Sequence, residues 1–310
     1  MNGPLLDLAL SEASVDDAAD LVEVIHAAFG ARPPLDPPST AIDETPETVA
    51  ATIRRGGGIF ASVNGRPAGA LLVAPLATGL ATFQRVSVHP DFQRHGVASA
   101  MVAAAQEYAA ELGFTRVELF ARNEFADLIA YWEHRGFAVA RDAPHGVILA
   151  RDLPVLVEVP TAAAMQDLGE RLAGLLVAGD LVIASGDLGA GKTTLTQGIG
   201  RGLGVEDPII SPTFVLSRVH RSAAGRAGLV HVDAYRLSSG SELDDLDLDA
   251  SMATAVTVVE WGQGLAEPLA PSRLEVKIRS AGEGRTVLLG TAGDRWHGVD
   301  LGALRRPQRV

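Results

Sequence analysis

One glycine-rich segment has the residue types and the spacing of a phosphate-binding loop. Gly186–Thr193 has the sequence Gly-Asp-Leu-Gly-Ala-Gly-Lys-Thr, which fits G-x-x-x-x-G-K-[ST]. Its glycines let backbone amides turn inward around an anion, and a helix beginning at Lys192 adds its free amides and its positive dipole end. The lysine would reach the β- and γ-phosphates, and the Thr193 hydroxyl would bind Mg²⁺. The residues predicted to bind ATP here are Gly186, Asp187, Leu188, Gly189, Ala190, Gly191, Lys192, Thr193 and Thr194.

A second anion-binding turn is predicted in the first half of the chain. It has the pattern Q-x-x-G-x-A through Gln93, Gly96 and Ala98, and it joins a predicted strand, Thr82–Val88, to a long helix. Small residues at a helix start leave its amides open to a phosphate group. The pattern alone is also typical of ordinary loop-to-helix junctions, so its position between strand and helix is what favours an anion site.

Two carboxylates are predicted to lie at the ends of buried strands near the first loop. Asp233 ends the apolar run that begins at Leu229, as a metal-binding carboxylate does in many nucleotide enzymes. Glu260 follows the apolar run Ala255–Val259. Residues 238–250 are also strongly acidic, and a solvated helix or loop is favoured there over a metal cage.

Composition narrows the classes of protein that fit. The net charge of −12 disfavours autonomous nucleic-acid binding, because an acidic chain gains nothing from counterion release, so any RNA would be held by a partner. The chain has no cysteine, which excludes disulfides and thiolate sites. No apolar run is long enough to span a membrane, and the first residues lack a signal peptide. We therefore expect a cytoplasmic protein without membrane contact.

The order of predicted elements indicates an α/β protein of two domains. With 310 residues the chain suits two domains, and a charged pair followed by Pro154 places the boundary between residues 1–152 and 153–310. Helices are predicted over 15–29 and 161–178. Residues 30–46 contain five prolines and are predicted to be irregular, either as a substrate-side lid or as a plain connection.

The elements over residues 5–150 resemble those of the GNAT-type N-acetyltransferases. The resemblance implies a mixed α/β sheet in which the strand before the turn splays from its neighbour and binds acetyl-CoA. Val86 and Val88 would offer backbone groups to the pantetheine arm, and the turn would hold the pyrophosphate. The residues implied in acetyl-CoA binding are Val86, Val88, Gln93, Arg94, His95, Gly96, Val97 and Ala98. The acceptor amine is not predicted.

The N-terminal domain departs from that family at one position. The family's Tyr-Glu-x-x-Gly-Phe segment corresponds to Trp132–Phe137, so the tyrosine that protonates the leaving thiolate is replaced by an indole. An indole cannot serve as that acid at neutral pH. Either Tyr131 is repositioned, or water serves, or the domain has little catalytic power. Glu118 and His134 are candidate bases, although solvated residues are the commoner interpretation for both.

Five linked segments of the second half resemble the TsaE (YjeE) ATPases over residues 155–290. They are Asp167–Glu170, Gly186–Thr194, Ser211–Phe214, His231–Leu237 and Val259–Trp261. The resemblance implies a small P-loop fold and the ATPase subunit for making threonylcarbamoyladenosine at position 37 of tRNA. That family works with TsaB and TsaD proteins and contacts tRNA indirectly through the complex. Its ATP hydrolysis resets the complex between turnovers.

The resemblance also implies roles for single residues. Lys192, Asp233 and Glu260 would be catalytic, with Glu260 orienting the attacking water and Thr193 and Asp233 holding Mg²⁺. Thr213 would sense the γ-phosphate, and Trp261 would pack beside the nucleotide or a partner. An arginine finger would come from Arg236 or from a partner. Residues 246–250 depart from the family's pattern, which affects the expected partner contacts.

Three other functions stay open at this point. Acetyl transfer to an amine is the first, with the ATPase half as a nucleotide sensor. Phosphorylation of a small molecule is the second, although only Glu260 offers a base for it. In the third, the N-terminal domain is a catalytically idle binding module. The leading hypothesis is a TsaE-type ATPase fused to a GNAT-like domain, with ATP, Mg²⁺ and acetyl-CoA as ligands.

Overall fold

Two compact units make up the chain, Met1–Leu153 and Pro154–Val310. The computed structural model describes residues 7–212, 215–223, 226–237, 239–244 and 248–305. Each unit contains one seven-stranded mixed sheet with helices packed on it. The predicted α/β class is therefore confirmed for both halves. Among the described residues, no helix is both long and apolar enough to cross a bilayer.

The first unit has the strand order β1-β2-β3-β4-β5-β7-β6. Its elements are β1 (Leu8–Glu12), α1 (Ala18–Gly30), α2 (Pro46–Gly56), β2 (Gly58–Val63), β3 (Arg66–Ala77), β4 (Leu80–Val88), α3 (Val97–Glu111), β5 (Arg116–Arg122), α4 (Ala126–Glu133), β6 (Ala138–Ala143) and β7 (Gly146–Asp152). The turn between β2 and β3 has positive φ at Asn64 and Gly65, as a two-residue hairpin requires. Two strands close the unit, where one was expected.

Local sequence explains where the first helices begin. Val15–Asp17 form a 3-10 turn before α1, so the α-helix starts three residues later than predicted. Pro46 is the first residue of α2, where its missing N–H costs nothing, and Thr45 caps that helix. The proline-rich segment before it is not wholly irregular, because Thr40–Asp43 form a second 3-10 turn.

A gap opens in the first sheet where β4 leaves β5. The two strands are parallel and pair only through Leu80–Thr82 with Arg116–Glu118. Beyond Thr82, β4 continues to pair with β3, so its edge toward β5 has no partner strand among the residues that the structure describes. The gap lies at the carboxyl end of β4, directly before the predicted anion-binding turn.

The second unit has the strand order β10-β11-β12-β9-β13-β14-β8. Its elements are β8 (Val155–Val159), α5 (Ala162–Ala173), β9 (Leu181–Ser185), α6 (Lys192–Leu203), β10 (Ser217–His220), β11 (Gly228–Asp233), α7 (Gly240–Asp244), α8 (Asp249–Met252), β12 (Ala255–Glu260), β13 (Arg273–Ala281) and β14 (Gly284–Ala292). The helix predicted over 161–178 ends at Ala173, before Gly174.

Four central strands, β11, β12, β9 and β13, are parallel, and their carboxyl ends meet at one edge of the sheet. Every residue of β12 is buried, as expected for a strand covered on both faces. Asp233 is the Cα partner of Glu260, and Glu260 is the partner of Ala184. The sheet thus aligns both predicted carboxylates with the strand that leads into the glycine-rich loop.

Candidate functional site

The loop between β9 and α6 forms a backbone cradle at the carboxyl edge of the second sheet. Gly186, Gly189 and Gly191 have φ values of 141°, 76° and 111°, which favour glycine. A Cβ on Gly186 would lie 2.4 Å from the carbonyl oxygen of Ile278, so the loop packs directly against β13. The loop is therefore held against β13 with backbone angles that favour glycine.

Lys192 is buried with its ammonium group inside this loop. Nζ donates to the carbonyl oxygens of Gly186 at 2.6 Å and Asp187 at 2.9 Å. It also lies 3.7 Å from the ring centroid of Trp261, a cation–π contact. Burial lowers the pKa of Lys192, and the negative charge of Glu260 opposes that change. The cation is thus held among the groups that are predicted to surround a nucleotide.

Thr193 and Glu260 are joined by a hydrogen bond. The Thr193 hydroxyl donates to Oε2 of Glu260 at 3.0 Å, which leaves the hydroxyl lone pairs available to a metal ion. The other carboxylate oxygen, Oε1, lies 2.7 Å from Nε2 of His231. Glu260 and His231 are both buried, with 2% and 0% of their surfaces exposed. The carboxylate is therefore fixed in position on both sides.

Asp233 is held at the end of β11 by two further hydrogen bonds. Its Oδ2 accepts from the Ser211 hydroxyl at 2.8 Å, and its Oδ1 accepts from the backbone N–H of Tyr235 at 3.1 Å. The side chain is buried beside the neighbouring strand that carries Glu260. Such an oxygen is of the type that Mg²⁺ prefers.

Trp261 follows Glu260 in a left-handed backbone conformation, with φ of 63°. Its N–H donates to the carbonyl oxygen of Ala184 at 2.9 Å, which fixes the bend. The indole lies over Lys192 and 5.1 Å from the Tyr235 ring, measured between centroids. Bulky residues adopt positive φ only where the surroundings impose it, and such strain is concentrated at functional sites.

The remaining predicted ATP-binding residues differ in exposure. Leu188 is 85% exposed at the tip of the loop, Asp187 is exposed, and Ala190 is buried. Thr194 is half-buried in the first turn of α6. Thr213 lies outside the described residues.

Two positioning residues were not predicted as part of the site. His231 lies two residues before Asp233 on the same strand and therefore on the same face, which is a signal that the sequence did contain. Arg285 donates from Nε to the carbonyl oxygen of Ala190 at 3.2 Å and from Nη2 to that of Gly189 at 3.4 Å. No local sequence pattern indicates that Arg285 belongs to the site, because it lies 95 positions after Ala190.

The acidic segment after β11 is anchored by apolar side chains. Leu243 and Leu248 are buried, while the Glu242 side chain is exposed. In the described part of the chain, no group of three His, Cys, Asp or Glu side chains is placed to hold a metal ion.

The gap between β4 and β5 in the first unit opens into a cavity of about 1100 Å³. The predicted acetyl-CoA residues that line it are Val86, Val88, Gln93, Arg94, Gly96, Val97 and Ala98. His95 is exposed and is not part of the lining. Gly96 has a φ of 78° and directly precedes α3, so the helix amides begin at the cavity wall.

Tyr131 and Trp132 both line this cavity. Trp132 is buried and packs edge-on against Phe137, as a core residue does. The Tyr131 hydroxyl is buried, and the guanidinium carbon of Arg135 lies 3.8 Å from the ring centroid of Tyr131. Burial raises the pKa of Tyr131, which keeps the phenol protonated. Of the three options for the missing acid, this geometry favours a repositioned tyrosine.

Neither candidate base belongs to the cavity lining. Both carboxylate oxygens of Glu118 accept hydrogen bonds from Arg141, each at 2.7 Å. His134 is exposed, and its Nδ1 lies 2.6 Å from the carbonyl oxygen of Ala130 in the preceding turn. Both residues thus have structural contacts and lie outside the cavity lining.

Each half of the chain matches a protein-family model. Residues 159–287 match "Threonylcarbamoyl adenosine biosynthesis protein TsaE". Residues 22–137 match "Acetyltransferase (GNAT) family".

Individual proteins are similar to parts of the chain. The tRNA threonylcarbamoyladenosine biosynthesis protein TsaE of Streptomyces coelicolor is 53% identical over 146 residues, which are 45% of this chain and 99% of that protein. The Bacillus subtilis protein of the same name is 39% identical over 38% of this chain and 73% of its own length. Among solved structures, the PaiA N-acetyltransferase of Thermoplasma acidophilum in complex with coenzyme A is 14% identical. That match covers 47% of this chain and 99% of the other, with a TM-score of 0.42.

Proposed function

The chain belongs to the TsaE family, and on that premise we propose that its C-terminal half binds and hydrolyses Mg²⁺–ATP in tRNA threonylcarbamoyladenosine biosynthesis. The observation that carries this proposal is the convergence of Lys192, Thr193, Asp233 and Glu260 on one glycine-rich loop. A P-loop alone indicates only a nucleotide. The match over nearly the full length of a named TsaE relative supports the pathway.

The chemistry of this site fits a magnesium nucleotide. Three glycines with positive φ shape the loop, and a buried ammonium lies within it, as a triphosphate requires. The available metal ligands are oxygens, from Thr193 and Asp233. Mg²⁺ commonly uses one or two such protein ligands and completes its coordination with phosphate and water oxygens.

Lys192 and Glu260 have different roles in the proposed hydrolysis. Lys192 balances charge on the β- and γ-phosphates. Glu260, held by His231 and Thr193, orients the water whose oxygen forms a bond to the γ-phosphorus, while the bond from that phosphorus to the β-phosphate oxygen breaks. Bound Mg²⁺ would neutralise charge on the same phosphate oxygens. The products are ADP and inorganic phosphate.

We place this hydrolysis in a complex with TsaB and TsaD proteins, with tRNA held by the complex. The acidic chain supports indirect contact with RNA. Slow hydrolysis by the chain alone, accelerated by the partners, is the expected behaviour. Hydrolysis at the same rate with and without TsaB and TsaD would contradict the partnership.

Reconstitution tests the function directly. The full chain is mixed with TsaB, TsaD, tRNA, ATP and a supply of threonylcarbamoyl adenylate, and modified tRNA is counted per complex. Lys192→Ala should abolish multiple turnover, because the loop loses its only ammonium. Gly96→Glu, in the other unit, should leave it unchanged. Multiple turnover by Lys192→Ala would refute the proposed role of ATP.

The cavity of the first unit supports a second activity, the transfer of an acyl group from acetyl-CoA to an amine. Seven of the eight predicted acetyl-CoA residues line that cavity, and Tyr131 offers a protonated phenol for the leaving thiolate. Calorimetry with acetyl-CoA tests the binding step. Gly96→Glu should abolish binding, because a carboxylate at the start of α3 repels the pyrophosphate.

Gly113→Glu is the matched control for that experiment. Gly113 also has a positive φ, 88°, and, like Gly96, has open space where a Cβ would point. It follows the other end of α3, away from the cavity lining. The two substitutions therefore impose similar backbone strain. Equal loss of acetyl-CoA binding in both would show strain rather than a binding turn.

A further inference from the structure

Four arginines line the cavity of the first unit, and three of them have either a proposed ligand or a paired carboxylate. Arg94 belongs to the turn assigned to the CoA phosphates. Arg85 donates from Nε to Oε1 of Glu44 at 2.7 Å. Arg122 pairs with a carboxylate oxygen of Glu124 at 2.7 Å. Each of the latter two is neutralised by its own carboxylate.

Arg32, the fourth, is paired with no carboxylate among the described residues, although Glu124 and Asp127 line a smaller pocket with it. Its side chain makes no hydrogen bond or ion pair with any residue that the structure describes, and it is half-buried. Its guanidinium carbon lies 3.9 Å from the ring centroid of Phe29 and 5.5 Å from that of Phe125. Burial lowers the pKa of Arg32. A partly buried cation without a counter-charge is unfavourable unless a ligand supplies one.

We propose that Arg32 binds the carboxylate of the acetyl acceptor, and that the acceptor is a free amino acid with an apolar side chain. The inference rests on the proposed acetyl transfer in this unit. A guanidinium stacked on an aromatic ring keeps its N–H edge free for a carboxylate, which it binds with two parallel hydrogen bonds.

The surrounding residues explain why the side chain of the acceptor should be apolar. The rings of Phe29, Phe120 and Phe125 and the side chain of Leu128 all line the same cavity. They offer an apolar surface next to the guanidinium. An amino acid of this kind would bury its side chain there while its carboxylate pairs with Arg32.

The segment that carries Arg32 is held in place by other contacts. Arg122 donates to the backbone carbonyl oxygens of Asp36 and Pro37, at 3.0 and 2.7 Å. Arg85 contacts Thr40 as well as Glu44. The segment is therefore fixed to β4 and β5, and the guanidinium is positioned before a ligand arrives.

The reaction is balanced without another reactant. The neutral amine nitrogen of the acceptor forms a bond to the thioester carbonyl carbon, and the carbon–sulfur bond breaks. The nitrogen loses one proton to solvent, and the departing thiolate takes one from Tyr131, which solvent restores. The products are an N-acetyl amino acid and CoA with a free thiol.

Three probes that differ only at the carboxylate test the proposal: L-phenylalanine, L-phenylalaninamide and 2-phenylethylamine. Thiol release from acetyl-CoA by the full chain is measured with each. Phenylalanine should exceed the other two by about 10- to 100-fold in kcat/KM, the effect expected from losing hydrogen bonds to a charged group. Equal turnover of all three amines would overturn the proposal, as would turnover of phenylalaninamide alone.

Two variants test whether the preference for phenylalanine depends on Arg32 itself. Arg32→Gln should lower kcat/KM for phenylalanine by about 10- to 100-fold and bring its ratio to phenylalaninamide near one. Arg55→Gln, which removes an exposed arginine of α2 outside the cavity, should change neither value. An Arg32→Gln variant that keeps the preference for phenylalanine would overturn the proposal.

Binding measurements distinguish failure of this inference from failure of the proposed acetyl transfer. Wild-type chain and Arg32→Gln should bind acetyl-CoA equally, while N-acetyl-L-phenylalanine should bind only the wild type in the presence of CoA. No acetyl-CoA binding by the wild type would refute the activity itself. Weaker acetyl-CoA binding by Arg32→Gln would assign Arg32 to a CoA phosphate and would overturn only the inference about the acceptor. The same inference would be overturned if the wild type bound CoA but did not bind N-acetyl-L-phenylalanine.

Discussion

Nε2 of His231 lies 2.7 Å from Oε1 of Glu260, in a fully buried pair at the end of the parallel strands. Because a carboxylate only accepts hydrogen bonds, Nε2 carries the proton. Thr193 donates to the other oxygen at 3.0 Å. The carboxylate therefore has a fixed orientation, which any role in positioning water would need.

Glu260→Gln tests that role. The amide keeps the shape and removes the negative charge, so ATP hydrolysis should fall by about 100-fold or more while ATP affinity changes only a few-fold. Phosphate release and calorimetry measure the two effects. Glu275→Gln, on β13, is the control and should hydrolyse ATP normally. If Glu260→Gln lost affinity and kept its turnover number, Glu260 would be a binding residue instead.

Replacement of His231 should affect turnover through Glu260. His231→Leu removes the donor and should lower kcat about 10-fold with little change in KM, because only the orientation of the carboxylate is lost. His231→Gln can still donate and should recover part of the rate. Steady-state kinetics at saturating TsaB and TsaD would show this split. Equal kcat for the Leu and Gln variants would indicate a purely structural role.

Two glycines of the loop should respond differently to alanine. Gly189→Ala introduces a Cβ into open space at φ of 76°, so it should cost about 1–2 kcal/mol of local strain and weaken nucleotide binding modestly. Gly186→Ala would place a Cβ 2.4 Å from the Ile278 carbonyl oxygen and should abolish binding. Calorimetry with ADP and thermal unfolding compare them. Similar affinities for both variants would mean that the loop does not need its packing on β13.

The Glu118–Arg141 pair predicts a pH-dependent stability. Hydrogen bonds from Arg141 lower the pKa of Glu118 in the folded state. The contribution of this pair to the free energy of unfolding is therefore fully present above the pKa of Glu118 in the unfolded chain, about 4.3. It is lost as the pH falls through the lower pKa that Glu118 has in the folded protein. Glu118→Gln should destabilise the unit at pH 7 by on the order of 1 kcal/mol, since Arg141 is half exposed and screened by solvent.

Urea unfolding of the full chain at pH 7, 5, 4 and 3 measures that dependence. The difference between wild type and Glu118→Gln should shrink below pH 4 and vanish as the native carboxyl becomes protonated. Glu133→Gln, an exposed change on α4, should show no difference at any of these pH values. A difference that grows on acidification would contradict the assigned direction of the pKa shift.

The predicted geometry of the second unit came from patterns that are local in sequence. The glycine spacing identified the loop, and two apolar runs ending in Asp233 and Glu260 gave parallel strands whose ends meet. The ends of helices were less predictable. The helix after Thr161 stops at Ala173, although apolar residues at helical spacing continue beyond it.

Contacts between distant residues could not be predicted in this way. Arg285 reaches the carbonyl oxygen of Ala190 across 95 positions, and Arg85 reaches Glu44 across 41. Neither pairing leaves a periodic signal, because it depends on how strands and loops meet after folding. The position of the Arg32 side chain over Phe29 is likewise a property of the folded cavity.

Main-chain pairing sets the spacing between Asp233 and Glu260, since the two are opposite each other on neighbouring parallel strands. A slip of one residue in that pairing would turn one of these acids to the far side of the sheet. Loop motion cannot separate them. Heat should therefore separate these two carboxylates only when β11 and β12 themselves come apart.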